Sequence, residues 1–283
     1  MPRIGVIGGS GLYEIESLTN KRDEFISTPF GEPSAQVVVG ELEGREVAFV
    51  PRHGHGHVLN PGEVNYRANV CALKQLGVKF IISVSAVGSL KEEIAPKHLV
   101  VPDQFIDRTR HRPDTFFSDG IVAHVSLADP FCNELRAIFI EEASKLEVTI
   151  HDGGTYICME GPQFSTRAES RLYRSWGADI IGMTNLTEAR LAREAEIAYA
   201  TLAFSTDYDC WHEEDVTAEM VIENFTYNVE NARKLIKAIV PAIDPEADYP
   251  AHHALENSIV TRPENIPQAV KVRLKPIAGK YLG

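Results

Sequence analysis

Short apolar runs rich in strand-forming residues alternate with amphipathic segments along most of this chain. The amphipathic segments repeat apolar residues every three or four positions, which is typical of helices. We predict strands at 3–13 (ending in a glycine turn), 36–50 (two strands about a Glu-Gly turn), 80–84, 99–107, 155–159, 179–183 and 198–204. We predict helices at 63–77, 129–146, 167–176, 186–196 and 216–240. This alternation indicates an α/β fold with a largely parallel or mixed sheet.

Polar side chains stand in small-residue turns after five of these predicted strands. In chain order they are Ser10, Arg52 with His53, Ser85, Thr184, and Asp207 with Asp209. Strand ends in a wound sheet meet at one cleft, so we expect these groups to converge. The hydroxyls, the forked guanidinium and the imidazole together suit an oxyanion such as phosphate.

Asp207 and Asp209 follow an apolar run and precede a predicted helix start at 215–217. Residues two apart in an extended segment point the same way, so both carboxylates can face one pocket. Such a pair can hold a metal, exchange protons with a nitrogen heterocycle, or simply cap the next helix. If the two carboxyls crowd, one of them should keep its proton near neutral pH. A phosphate site beside a heterocycle site suggests the phosphorolysis of a nucleoside.

The bulk properties exclude several classes of protein. The net charge of −12 argues against a general nucleic-acid binder, which would show a basic face. The chain has no run of 18 apolar residues and begins without a signal peptide, so we expect no membrane span and a cytoplasmic location. The four cysteines are far apart and form no CxxC motif, so we expect reduced thiols. The glycine turn at 8–11 is no dinucleotide fingerprint, because residue 14 is Glu.

Six motifs in the same order resemble the 5′-methylthioadenosine phosphorylase family, within the trimeric purine nucleoside phosphorylases. They lie at 8–11, 52–54, 85–90, 160–169, 182–184 and 206–211, and the resemblance extends from residue 3 to about 240. It implies a three-layer α/β/α fold with a central mixed, partly barrel-like sheet. It also implies a homotrimer or homohexamer that uses a nucleoside and phosphate as substrates and needs no metal or organic cofactor.

The same resemblance assigns roles to individual residues. The phosphate site would comprise Ser10, Arg52, His53, Ser85, Ala86 and Thr184. The ribose would pack on Phe164 and Met183, and the base would be bound by Ser165, Asp207 and Asp209. The 5′-methylthio pocket would be lined by His57, Ala218 and Val221, and His124 would reach in from a neighbouring subunit. The loop after Trp211 is shorter than in animal relatives and Ala218 replaces the usual valine, so the width of this pocket is open.

The mechanism that the resemblance implies divides the work between the two carboxyls. A protonated Asp207 would donate to purine N7 and Asp209 would accept from the 6-amino group. Phosphate would then attack C1′ to give adenine and 5-methylthioribose 1-phosphate.

Three alternatives stay open at the level of sequence. The chain could be a purine nucleoside phosphorylase of broader specificity, although a 6-oxopurine enzyme would carry Asn at Asp207 and Glu at Ser165. The alternating His53, His55 and His57 could bind zinc in an adenosine-type hydrolase. A nucleotide-binding module without catalysis is a third class.

The end of the chain differs from the rest in composition. Residues 244–283 hold five prolines and a basic end. We therefore expect a single domain at 1–243, followed by a C-terminal arm at 244–283 that packs on the domain or on a neighbouring subunit.

Overall fold

A computed structural model describes residues 1, 3–9, 11–12, 14–212 and 218–282 and, for 218–222, the backbone alone. Its strands are β1 (Ile4–Gly8), β2 (Thr19–Glu24), β3 (Val37–Leu42), β4 (Arg45–Pro51), β5 (Phe80–Ser89), β6 (Leu99–Val101), β7 (Gln104–Arg108), β8 (Ile150–Asp152), β9 (Thr155–Met159), β10 (Ile180–Gly182) and β11 (Ala198–Asp207). Its α-helices are α1 (Tyr66–Gln75), α2 (Asn133–Ala143), α3 (Arg167–Ser175), α4 (Asn185–Glu194), α5 (Ala218–Ala242) and α6 (Gln268–Leu282). Short 3-10 helices lie at Asp209–Trp211, Pro250–His253 and Pro263–Asn265.

The strands form one mixed sheet in which β5 is the central member. β5 pairs in parallel with β1 and with β11, and its last residues pair antiparallel with β10. The main path of the sheet is β2-β3-β4-β1-β5-β10-β9-β7, and β11, β6 and β8 branch from β5. The two ends of this path do not pair with each other among the described strands, so the sheet is not closed into a barrel.

Helices cover both faces of the sheet. Helices α1, α4 and α6 share one apolar core with alternate residues of the strands, such as Ile7 and Ile81. Helices α2 and α5 share a second core with the neighbouring residues Val6 and Ile82, which point the opposite way. The predicted α/β/α architecture with a mixed sheet is therefore confirmed.

Several elements differ from the sequence prediction. The run after residue 84, predicted as a turn, continues β5 to Ser89, because β10 gives it a new partner. β2 was not predicted, since its TNKRDE sequence is exposed almost throughout and has no apolar alternation. α6 was missed because it contains Pro276 and a non-helical residue at Ala278. The predicted helix start at 215–217 lies outside the described residues.

The C-terminal residues pack onto the rest of the chain. α6 contacts α1, and its residues Val270, Leu274 and Ile277 are buried in the core that α4 also shares. The backbone N–H of Leu255 donates to the Glu196 carboxylate at 3.2 Å. Among the described residues, no helix combines the length and the apolar character needed to cross a lipid bilayer.

Candidate active site

A gap in strand pairing on β5 defines the centre of the site. On one edge, β5 pairs with β1 as far as Ser83 and with β10 only from Gly88 onward. Residues 84–87 therefore have no strand partner on that edge among the described strands, whereas β11 pairs along the other edge. Backbone groups at the gap therefore lack a strand partner, and those that no side chain takes up are open to a ligand. Ser85 and Ala86 thus lie within a strand at the gap, and not in the turn that the sequence predicted.

Two hydroxyl groups adjoin this gap. The Ser85 Oγ lies 3.2 Å from the buried Tyr156 hydroxyl, and Ala86 is exposed in an otherwise buried stretch of β5. A Cβ at Gly182 would lie 1.9 Å from that same tyrosine oxygen, so only glycine fits at the end of β10. Thr184 is the N-cap residue of α4, and its side chain makes no capping hydrogen bond. The Thr184 hydroxyl and the positive end of the helix are therefore available to an anion.

Arg52 is almost completely buried just after the end of β4, and most of its donors are used internally. Its Nε donates to Glu188 Oε1, and its Nη2 donates to Glu188 Oε2 at 3.0 Å and to Ser83 Oγ at 2.9 Å. Its Nη1 donates to the Val84 carbonyl at 2.9 Å. Four of the five guanidinium hydrogens are thus engaged, which leaves one Nη1 hydrogen for a ligand. Burial alone would lower the pKa of Arg52, but the Glu188 carboxylate outweighs it and raises the pKa.

Glu188 is the hub of a buried polar network beneath the gap. Besides Arg52, it accepts hydrogen bonds from Ser83 Oγ at 3.0 Å and from the Tyr199 hydroxyl at 2.9 Å. Asn185 joins the network by donating to Thr201 Oγ1 at 2.6 Å. Because every partner is buried, the network fixes the orientation of the guanidinium.

The ring of His53, the residue after Arg52, stacks on the ring of His57. Their ring centroids are 4.3 Å apart, and His53 Nδ1 lies 2.9 Å from the Leu59 carbonyl oxygen. Burial and the adjacent Arg52 charge lower the pKa of His53 to about 4, so its ring is neutral at physiological pH. His57 is exposed and has a positive φ of 57°. This stacking gives the zinc-hydrolase hypothesis no support.

Asp207 and Asp209 meet through a turn rather than along one strand face. Asp207 ends β11, and the backbone N–H of Asp209 donates to Asp207 Oδ1 at 2.8 Å. The Thr206 hydroxyl donates to Asp207 Oδ2 at 2.7 Å. Asp209 begins a 3-10 helix with a φ of 51°. The extended geometry expected for the pair is therefore replaced by a tight turn that still brings the two residues together.

The two carboxyls stand in different environments. Both oxygens of Asp207 accept hydrogen bonds, whereas Asp209 Oδ2 is buried and has no hydrogen-bond partner among the described residues. Burial raises the pKa of Asp209, and the charge of Asp207 raises it further. The buried Ser170 hydroxyl on α3 lies close enough to oppose part of this rise. Asp209 therefore holds a proton to a higher pH than a solvated aspartate does.

The segment 160–166 brings a third group of residues toward the carboxyls. The Cys210 Sγ lies 3.2 Å from the Ser165 carbonyl oxygen, which ties Ser165 to the turn that carries Asp209. A Cβ at Gly161 would lie 2.5 Å from the Met183 sulfur, so the same segment runs against Met183. Phe164, however, is 82% exposed, so its ring is open to solvent or to a ligand.

The remaining predicted site residues are not joined to this cluster by the structure. Ser10 lies outside the described residues, and so do the side chains of Ala218 and Val221 at the start of α5. His124 is exposed on a separate stretch, where its backbone N–H donates to the Ser258 carbonyl at 2.9 Å. An isolated bridge between Ala123 and Ile259 extends the same contact. The predicted role of His124 at a neighbouring subunit stays a prediction.

Sequence reasoning missed three residues that shape the site: Glu188, Tyr156 and Arg112. Glu188 lies four positions after Thr184 and so on the same side of α4, which is the one signal that could have found it. Arg112 donates to the Met183 carbonyl and to the Glu160 carbonyl, both at 2.5 Å, and thereby joins two segments that line the site. Nothing local in the sequence indicates Tyr156 or Arg112, since their side-chain hydrogen-bond partners are more than 40 residues away.

No group of three or more His, Cys, Asp or Glu side chains that could hold a metal ion occurs in the described part of the chain. The four cysteines are all free. The site as described therefore consists of hydroxyls, one buried guanidinium, backbone groups at a strand gap and a carboxyl pair. Such a site can bind an oxyanion beside a group that exchanges protons.

Comparison with known proteins decides the family. The model of the phosphorylase superfamily matches residues 3–241, which include every part of the site described above. The chain belongs to the phosphorylase superfamily. The family resemblance seen in the six motifs is thereby confirmed.

The similar proteins within this superfamily match over nearly the whole chain. An S-methyl-5′-thioadenosine phosphorylase of Gloeobacter violaceus is 54% identical, over 99% of this chain and 96% of its own length. The crystal structure of a methylthioadenosine phosphorylase from an antarctic soil metagenomic library is 53% identical with a TM-score of 0.94, over 98% of each chain. The methylthioadenosine phosphorylase of Schistosoma mansoni in complex with adenine is 36% identical with a TM-score of 0.83, over 91% of this chain and 99% of the other.

Proposed function

We propose that this phosphorylase cleaves 5′-methylthioadenosine with phosphate, giving adenine and 5-methylthioribose 1-phosphate. The observation that carries the proposal is the carboxyl pair Asp207–Asp209, which lies at and just after the end of β11, beside the unpaired stretch of β5. A base site and an anion site are thereby held on neighbouring strands. The names of the similar proteins support the same substrate and the same base.

In this proposal the carboxyl pair binds the purine. Cleavage of the N-glycosidic bond leaves negative charge on the base, which a proton delivered to N7 relieves. The sequence assigned that proton to Asp207, but the geometry favours Asp209, which is buried with one unpartnered oxygen among the described residues. We infer that Asp209, whose pKa burial raises, delivers this proton, and that Asp207, which accepts two hydrogen bonds, does not.

Phosphate is the second substrate, and its site would lie at the strand gap. Ser85 Oγ, the Thr184 hydroxyl, the backbone at Ala86 and the N-terminus of α4 supply neutral donors, and Arg52 supplies one hydrogen and part of its charge. Phosphate held there stabilises the positive charge that develops on the ribose and then attacks C1′. These donors complete the proposal without a metal or an organic cofactor.

The test is to measure adenine release from 5′-methylthioadenosine with and without phosphate. We expect release to depend on phosphate and to produce one sugar phosphate for each adenine. Release without phosphate would indicate a hydrolase, and binding without release would indicate a nucleotide-binding module. Either result would overturn the proposal.

A broader substrate range is the second candidate, and Ser165 bears on it. A 6-oxopurine presents an N1–H donor that a serine hydroxyl cannot match with a charge, and an unmatched buried polar group costs about 1–3 kcal/mol. We therefore expect kcat/KM for methylthioadenosine to exceed that for methylthioinosine by roughly tenfold or more. Equal values for the two substrates would contradict the placement of Ser165 and Asp207 at the base.

We also infer the organisation of the protein in the cell. Residues 1–243 would form the phosphorylase domain, which the family match to 3–241 supports, and 244–283 would form an arm packed on it. The exposed Phe164 and His124 suit a homotrimer or homohexamer in which a neighbouring subunit completes each site. The free cysteines suit the reducing cytoplasm. A fully active monomer in a sedimentation experiment would contradict the oligomer.

A further inference from the structure

An open cavity of about 390 Å³ lies where α1, the 3-10 helix Pro250–His253 and α6 meet. It shares no residue with the candidate active site. Four lysines line it: Lys74, Lys79, Lys275 and Lys280. This concentration of positive charge stands out in a chain whose net charge is −12.

The acidic groups of the cavity do not balance the lysines. Of the two lining carboxylates, Glu196 is already bound by Lys280 Nζ at 2.8 Å and by the Tyr281 hydroxyl at 2.6 Å. Asp248 is engaged by the His253 ring at 2.8 Å. Four lysines and two carboxylates leave an excess of two positive charges.

The other three lysines are not matched by acidic partners in the described part of the chain. No described carboxylate lies within ion-pair distance of Lys74, Lys79 or Lys275. Burial lowers the pKa of Lys74, and the nearby Lys280 and Lys79 lower it further against the opposing pull of Glu196. Like charges held together at a partly buried position destabilise the unliganded protein, and a bound anion would relieve that repulsion.

We propose that this cavity binds the phosphate monoester of a small organic molecule. A phosphate monoester carries close to two negative charges at neutral pH, which matches the excess of two positive charges. Lysine ammonium groups are common phosphate ligands. The cavity has room for an organic group besides the phosphate, and its lining includes the apolar surfaces of Pro276 and Ile277. Because Lys275 and Lys280 come from α6, the ligand would also tie the C-terminal helix to α1.

The experiment is a calorimetric titration of the full-length protein with glycerol 3-phosphate. The cavity variant is Lys74→Gln/Lys275→Gln. The charge-matched control is Lys234→Gln/Lys271→Gln, which removes two lysines outside the cavity, one of them from the same helix as Lys275. All three proteins keep the same candidate active site, so a difference between them reports the cavity alone, whether or not the proposed phosphorolysis is correct.

We expect the wild type and the control to bind with the same affinity and the cavity variant to bind at least tenfold more weakly. The exposed single substitution Lys275→Gln, which leaves the buried part of α6 intact, should show the same direction if the double variant folds poorly. Unchanged binding by the cavity variants, or no binding by the wild type at millimolar ligand, would overturn the proposal. A parallel titration with inorganic phosphate distinguishes a site for a phosphate monoester from a site for free phosphate. Equally tight binding of inorganic phosphate in the cavity would show the monoester assignment to be wrong.

Discussion

At the scale of single residues, the environment decides what each functional group can do. Arg52 was predicted as a forked phosphate ligand, yet Glu188 and the surrounding acceptors engage four of its five hydrogens. Asp207 and Asp209 are the same residue type two positions apart, but only Asp209 combines burial with an unpartnered oxygen among the described residues. Hydrogen bonds to an aspartate favour its ionised form, whereas burial favours its protonated form.

The first prediction follows from the raised pKa of Asp209. If Asp209 donates the proton, kcat/KM falls as pH rises through the pKa of Asp209 in the free enzyme, because the donor is then ionised. Asp209→Asn should lower the rate roughly 10²–10⁴-fold and remove this alkaline limb. Asp207→Asn should lower the rate but keep the limb. Measured pH–rate profiles distinguish the two. If Asp207→Asn, rather than Asp209→Asn, loses the alkaline limb, Asp207 is the proton donor.

At the scale of elements, α4 supports the site with one face. Thr184 occupies its N-cap position with a hydroxyl that makes no capping hydrogen bond, and Glu188, one turn later, holds Arg52 in place. Glu194 lies farther along the same helix and accepts hydrogen bonds from Thr115 Oγ1 and from the Phe116 N–H, both at 2.7 Å. The helix thus carries two buried carboxylates, one paired with a cation and one bonded to neutral donors.

The second prediction concerns the paired carboxylate. Glu188→Gln leaves the Arg52 charge buried without a counter-ion, so we expect the free energy of unfolding at pH 8 to fall by about 3–5 kcal/mol. Tyr199→Phe, which removes one hydrogen bond to Glu188 and no charge, should cost about 1 kcal/mol. Urea denaturation measures both. A loss in Glu188→Gln no larger than that in Tyr199→Phe would show that the ion pair contributes little.

The third prediction concerns Glu194. Burial raises the pKa of this carboxyl from an ordinary 4.5 to about 7. Between these values the folded protein binds the proton and the unfolded chain does not, so this group's contribution to stability is highest at low pH and falls as pH rises. The loss over this window is ~3 kcal/mol. The measurement is the free energy of unfolding in urea from pH 4.5 to 8, for wild type and for Glu194→Gln. We expect it to decline with pH in the wild type and to lack this decline in the variant. A wild-type curve that runs parallel to that of the variant would contradict it.

At the scale of the whole molecule, the C-terminal segment is part of the fold that surrounds the site. α6 contributes Leu274 and Ile277 to the same core that holds α1 and α4. The lysine-rich cavity lies at this junction. The change in composition at residue 244 lies close to the end of the superfamily model's match at 241, and the packed structure continues beyond it.

The fourth prediction tests this packing. Leu274→Ala removes a completely buried side chain of α6 and should cost about 2–5 kcal/mol of unfolding free energy. Val272→Ala on the same helix, where the side chain is 62% exposed, should change stability by less than about 0.5 kcal/mol. Denaturant unfolding measures both variants. Equal effects would mean that α6 does not fold as one cooperative unit with the domain.

The sequence by itself determined the fold class and the chemical types at the strand ends. Alternating apolar runs and amphipathic segments are local patterns, and they are sufficient to predict an α/β fold with a largely parallel or mixed sheet. The three-layer arrangement was implied by the family resemblance. The motifs around Arg52, Ser85, Thr184 and Asp207 were sufficient to identify the family, because their order along the chain is specific.

Only the tertiary structure decided how those groups are used. The gap on β5 exists because its pairing with β1 stops at Ser83 and its pairing with β10 starts only at Gly88. The position of the gap therefore depends on strands that are far apart in the sequence. Three other features arise in the same way: the pairing of Arg52 with Glu188, the turn that joins Asp207 to Asp209, and the grouping of lysines around α1 and α6. Charge pairing and burial depend on which distant segments pack together, and that information is absent from any local stretch of sequence.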